Sequence, residues 1–178
     1  MSKLLDITTA AVREAAGTQS FVKGILAINL ATAATIKSTA AFVYSIGGII
    51  LNKAILAAQA LVALPAAQFL VTGLSGFFIQ PISTIVYYVV CLDALGNVFT
   101  VQGTFAGQQL TLNGMPNFVV QNGDVPDVDK TTLCPIGLIK IATNASTTFT
   151  VGTTALDAAG LVVTYFDLAG QLPTNRQP

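Results

Sequence analysis

Hydrophobic and polar positions follow several different patterns along the chain. Over residues 3–16 the apolar residues repeat with helical spacing. Leu4, Thr8, Ala11 and Ala15 fall on one stripe, with Leu5, Val12 and Ala16 beside it, and Lys3, Arg13 and Glu14 lie elsewhere. Gly17 is a natural stop for this short helix. The stripe suits packing on its own domain, and it equally suits an N-terminal arm docking on a neighbouring subunit. From Phe21 the period changes to two. Ile28, Leu30 and Thr32 alternate with Ala27, Asn29 and Ala31; Phe42, Tyr44 and Ile46 alternate with Val43 and Ser45. Gly47-Gly48 between two apolar runs signals a hairpin. Strands are expected near 26–31, 41–46 and 49–53.

Residues 54–71 are rich in Ala and Leu, which favours a helix, but Pro65 interrupts it. By hydropathy this run is the one candidate for a membrane span, near 54–74. Its Ala-dominated texture, with Gln59, Gln68 and Pro65 interspersed, argues against spanning. Strand texture returns at 77–101. Ile85, Tyr87, Val89 and Cys91 share one face, and Val86, Tyr88, Val90 and Leu92 the other. A strand apolar on both faces is covered on both sides, one by the core and the other by a neighbouring subunit. Asp93–Asn97 reads as a turn and 98–101 as the returning strand. Residues 102–132 read as loop with one short strand near 118–120. Strands are then expected at 136–142, 148–150 and 161–166, with turns at 144–147 and at Gly152.

Together these elements predict a mainly β fold, a barrel or sandwich of short antiparallel strands with a short N-terminal helix. The chain divides into an N-terminal helix or arm (1–20), a β domain (21–170) closing in a β module (132–168), and a polar tail (171–178).

Composition changes the picture in one respect. Of 178 residues only 9% are charged while 53% are hydrophobic, far from the roughly 25% charged usual in soluble domains. Such a chain is expected to hide surface, either in an assembly or in a membrane. The net charge is zero, and no basic run suggests a nucleic-acid partner. The charge is uneven: residues 1–92 carry five cations against two acids, and residues 93–178 three cations against six acids. Asp6, Arg13 and Glu14 interrupt the stretch that a signal peptide would keep apolar, so none is expected.

Candidate chemistry is sparse. The chain has no His, which removes Ser-His-Asp and Cys-His catalysis and the usual zinc sites. No phosphate-binding glycine motif occurs, and no enzyme activity, cofactor or metal is expected. Asp124, Asp127 and Asp129 offer oxygens to Ca²⁺ but lack an EF-hand pattern and read as a solvated loop. Asn144-Ala-Ser146 matches a glycosylation sequon and also suits a β-turn. Tyr44, Tyr87 and Tyr88 suit a carbohydrate platform less well than a core or subunit contact. Cys91, in an apolar run, reads as a small buried side chain, and no disulfide with Cys134 is expected.

Pro135–Thr143, Phe149–Leu156 and Gly160–Asp167 resemble the closing module of a group of tailed-bacteriophage virion proteins. Phe42–Gly48 with Asn52-Lys53-Ala54, Gln80–Thr84, Tyr87-Tyr88, Leu92–Asn97 and Thr100–Gly103 resemble upstream segments of the same group. The resemblance covers roughly residues 25–168. It implies a head decoration (cement) or head-fibre protein on the capsid exterior, a homotrimer whose partners are the major capsid protein and itself, with neither nucleic acid nor membrane. The expected assembly contacts are Leu4, Leu5 and Val12 on the N-terminal stripe and the strand positions Tyr88 and Val90. The alternatives are a fibre module that binds a receptor or glycan, and a membrane-anchored protein spanning near 54–74.

Overall fold

The computed structural model describes residues 17–63, 79–105, 109–110, 118–119 and 125–170. Their strands are β1 (Gln19–Ser20), β2 (Leu26–Ile28), β3 (Thr35–Ser38), β4 (Phe42–Ile46), β5 (Ile49–Lys53), β6 (Gln59–Ala60), β7 (Ile85–Asp93), β8 (Val98–Gln102), β9 (Gln109–Leu110), β10 (Phe118–Val119), β11 (Leu133–Thr143) and β12 (Leu161–Asp167). The fold is mainly β, as the alternation predicts. β12-β11-β7-β8 make a four-stranded sheet, β1-β4-β5 and β2-β3-β6 two three-stranded sheets, and β9 and β10 a separate pair. All pairings between these strands are antiparallel. The predicted N-terminal helix and the polar tail lie outside the described residues.

Turn chemistry sets the registers. Gly47 and Gly48 take φ of +55° and +78° and join β4 to β5 with Ile46 opposite Ile49. Left-handed φ at both central residues matches the twist of the flanking strands, and glycine reaches it without strain. At the β7–β8 turn the Asp93 carboxylate accepts the Leu95 and Asn97 backbone N–H groups, each at 2.8 Å. After β11, Asn144 Oδ1 accepts from Ser146 N at 3.0 Å and Thr147 N at 2.8 Å. The sequon residues therefore build a turn. The strand expected at 148–150 reduces to one bridge, Phe149 opposite Gln80.

The inner face of the four-stranded sheet makes the main core. Val86, Tyr88, Val90 and Leu92 of β7 and Cys134, Ile136, Ile139 and Ile141 of β11 meet Leu26, Ile36, Phe42, Tyr44 and Ile46 from the two smaller sheets. A bulge between Pro135 and Gly137 lets β11 turn inward there. A Cβ on Gly137 would overlap the Leu26 side chain, so only glycine admits Leu26 at this point.

Gln80, fully buried, ties the chain before β7 to this core. Its Nε2 donates to Ile141 O at 2.9 Å and Thr84 O at 3.1 Å, and its Oε1 accepts from Tyr88 Oη at 3.2 Å. Its backbone exchanges hydrogen bonds with Phe149, whose ring packs edge-on against Tyr88.

Residues 54–63 form no helix: the chain bends at 57–58, β6 follows, and Leu56 and Leu61 are buried. The Ala-rich run therefore does not begin as a helix, despite its propensity; residues 64–78 lie outside the described residues. No helix among the described residues is long and apolar enough to cross a membrane.

Candidate assembly surface

Register assigns the outer face of the four-stranded sheet residue by residue. Directly paired residues of an antiparallel sheet point to the same side. One cross-strand row is therefore Val162, Ala142 and Ile85; the next is Thr164, Lys140 and Tyr87; the third is Phe166, Leu138, Val89 and Val101. The Cys91 end of this face is closed by the chain itself. Val125, Val128 and Leu133 pack there with Cys91, Phe99, Val101 and Leu168 in a second, smaller core.

The other end is open. Ile85 is 46% exposed, Val162 67% and Phe166 43%, and Tyr87, Lys140 and Ala142 are half-buried around them. Lys140 stands in the middle row, and its ammonium makes no ion pair or hydrogen bond with a described residue. β12 is the edge of this sheet, and the backbone groups on its free side bond to no other described strand. An apolar face beside an unpaired edge is the kind of surface that marks a contact with protein, ligand or membrane. A second apolar edge is β5, where Ile49 and Ile50 point outward.

These residues replace part of the sequence expectation. Tyr88 and Val90 are fully buried in the main core, which corrects their assignment as contacts with another subunit. They lie on the side of β7 that the two smaller sheets cover, and the opposite parity, Ile85 and Tyr87, is the one left open. Leu4, Leu5 and Val12 lie outside the described residues. Ile85 and Tyr87 were visible in the sequence as one face of a doubly apolar strand. Nothing in that strand alone tells which face the rest of the chain covers. Val162 and Phe166 carry a clearer signal, because they alternate with Leu161, Val163 and Tyr165, which pack on the core.

The described residues hold little reactive chemistry. No three His, Cys, Asp or Glu among them gather as metal ligands. Asp129 instead accepts from Thr131 N at 2.9 Å and Thr131 Oγ1 at 2.7 Å, and these bonds hold its carboxyl below the usual carboxylate range. Tyr44 and Tyr88 are buried, Tyr44 Oη donating to Asp93 O at 2.8 Å, so they form no exposed platform. Cys91 and Cys134 are buried free thiols. They lie on neighbouring strands but on opposite faces of the sheet, Cys134 in the main core and Cys91 in the smaller one. Burial raises both thiols, Cys134 to about 12.

Comparison with known protein families, curated proteins and solved structures returns no match.

Proposed function

We propose that this chain is a structural protein of a tailed-phage virion. It is a decoration, or cement, subunit that sits on the outside of the head, contacts the major capsid protein and works as a homotrimer. The observation that carries this reading is the open apolar face of Ile85, Val162 and Phe166 on a β body. Such a face suits permanent contact with protein, since obligate interfaces are apolar like a divided core. The low charge fraction supports the same use of the surface. The resemblance of residues 25–168 to phage head proteins supplies the kind of partner. In this reading the role is mechanical: subunits bridge neighbouring capsomers, and the buried contact opposes the outward pressure of the packaged genome.

The test is addition of the purified chain to shells of its virus's major capsid protein. Co-sedimentation in threefold clusters, with a higher shell melting temperature, is the expected result. Shells that bind none of the chain would overturn the reading.

A further inference from the structure

The chain caps some of its sheet edges and leaves others open. At β8, Thr100 N donates to Val62 O at 2.7 Å and Ala63 forms a bridge to Thr100. At β1, Gly170 N donates to Ser20 O at 2.8 Å. β5 has no such cover among the described residues. Register shows where its bonding groups point. Pairs along an antiparallel ladder alternate between hydrogen-bonded and non-bonded. Ile46 and Ile49 flank the two-residue Gly47-Gly48 turn and form a bonded pair, as do Tyr44 with Leu51 and Phe42 with Lys53. Val43 turns the other way, since its O accepts from Phe21 N at 2.8 Å beside β1. Ile50 and Asn52, opposite Ser45 and Val43, therefore direct their N–H and C=O groups off the free side of β5. These four groups bond to no described residue.

The usual guards of an open edge are missing here. Natural edges carry Pro, charge or a bulge; Ile49–Asn52 has none of these, and Ile50 is 59% exposed. Lys53 is the one charge on the strand, and its stem lies against Gly96 of the β7–β8 turn, where an added Cβ would come 3.2 Å from Lys53 Cδ. A second copy of the same strand fits this edge. With Leu51 opposite Leu51 across a twofold axis, each Ile50 pairs with the other copy's Asn52, and all four free groups are bonded. Moving the axis to Ile50 would set Asn52 against Gly48, whose N–H already goes to Gly17 O at 2.8 Å. Moving it to Asn52 would set Ile50 against Ala54, beyond the end of the strand. In the Leu51 register the two Lys53 stand four residues apart along the strand, about 13 Å, beyond the roughly 8–10 Å over which exposed charges act at moderate salt. Each chain has one β5, so this pairing closes at two copies.

We propose that β5 pairs antiparallel with β5 of a second copy of this chain, in register about Leu51, joining two three-stranded sheets into one of six strands. β5 belongs to a different sheet from Ile85, Val162 and Phe166, so this contact is separate from the face on which the proposed function rests.

The test is disulfide trapping of the purified full chain carrying Ile50→Cys, Leu51→Cys or Asn52→Cys. A non-bonded antiparallel pair holds its Cα atoms about 4.5 Å apart, within disulfide reach, and the native thiols are buried. Leu51→Cys should link into dimers about fivefold or more faster than either neighbour alone, although Ile50 is the more exposed residue. Mixing Ile50→Cys with Asn52→Cys should link faster than either by itself. Chance collision would instead favour the exposed Ile50→Cys. A second measurement avoids new thiols. Asn52→Pro removes an N–H that bonds to no described residue, and Ile50→Lys places a charge at an exposed edge position. Each should weaken self-association about tenfold or more in sedimentation equilibrium, with the circular dichroism of the parent chain retained. Trapping without preference for Leu51→Cys, or self-association unchanged in both edge variants, would overturn the pairing.

Discussion

The Asp167 carboxylate accepts the backbone N–H of Leu26 at 2.8 Å. This bond joins the end of β12 to the start of β2 and so fastens a small sheet to the large one. Ile25, just before it, takes φ of +53°, a left-handed conformation that a β-branched residue avoids unless its surroundings impose it. Asp157 does the same at the β2–β3 turn, where its carboxylate accepts Thr32 N at 2.8 and 2.9 Å while Thr32 holds φ of +61°. Two carboxylates thus pin both ends of one hairpin. Asp167→Ala leaves the Leu26 N–H without its acceptor, and a loss of about 1–3 kcal/mol is expected. Asp167→Asn keeps an acceptor and should lose less than half as much. Urea unfolding of the three proteins checks this; equal losses for both variants would show that the charge matters rather than the acceptor.

Gly137→Ala places a methyl group in the space of the Leu26 side chain. Overpacking of this kind costs about 1–3 kcal/mol. Leu26→Ala alone should also destabilise, because it opens a cavity. Together the two changes should cost less than their sum, and a double-mutant cycle on denaturation midpoints reads the difference. Strict additivity would mean the two positions do not press on each other.

Gln80 bonds three partners from full burial, so Gln80→Ala removes all three bonds and leaves the Tyr88 hydroxyl without its acceptor, with only the Gln102 Nε2 donor at 3.3 Å. A loss of about 2–4 kcal/mol is expected from three lost buried hydrogen bonds and the space the side chain leaves. Tyr88→Phe removes the bond to Gln80 Oε1 and the one accepted from Gln102 Nε2 at 3.3 Å, while Gln80 keeps its two bonds to backbone carbonyls, so it should cost only about 1 kcal/mol. Thermal melts rank the two variants, and the reverse order would remove Gln80 from the centre of this network.

Burial raises the Cys91, Cys134, Tyr88 and Tyr165 acids, Cys134 and Tyr165 to about 12. Each group therefore binds its proton more tightly folded than unfolded. Their contribution is fully present below the ordinary values of 9.0 and 10.0 and is lost as pH rises toward 12. Melting temperature should fall steadily from pH 9 upward. Tyr165→Phe should flatten that fall, and since Tyr165 Oη is buried without a partner among the described residues, it should also raise stability at pH 7 by about 1 kcal/mol. A melting temperature unchanged between pH 8 and 11 would contradict the burial of these groups.

Much of the fold was legible in the sequence, for identifiable reasons. β4 and β5 follow from alternation around Gly47-Gly48, β7 and β8 from a long apolar run ended by Asp93–Asn97, and β12 from Leu161, Val163 and Tyr165 in step. β1 and β3 were missed. Gln19-Ser20 and Thr35–Ser38 are short and mostly polar, and they pair because β4 and β2 present partners, which no local pattern records. The surface was less legible. A strand such as β7, apolar on both faces, announces two covers but not which is internal. That choice depends on where β2, β4 and the 125–133 loop come to rest, and it sent Tyr88 and Val90 inward and left Ile85 open.

The first strand also touches the segment that follows the last one: Gly170 N donates to Ser20 O at 2.8 Å. The two ends of the described body, near Ser20 and at Gly170, thus lie side by side. A few residues joining 170 to 17 would close the body into a ring. New ends at the exposed Leu95 turn would then give a circular permutant that preserves the strand order within every sheet.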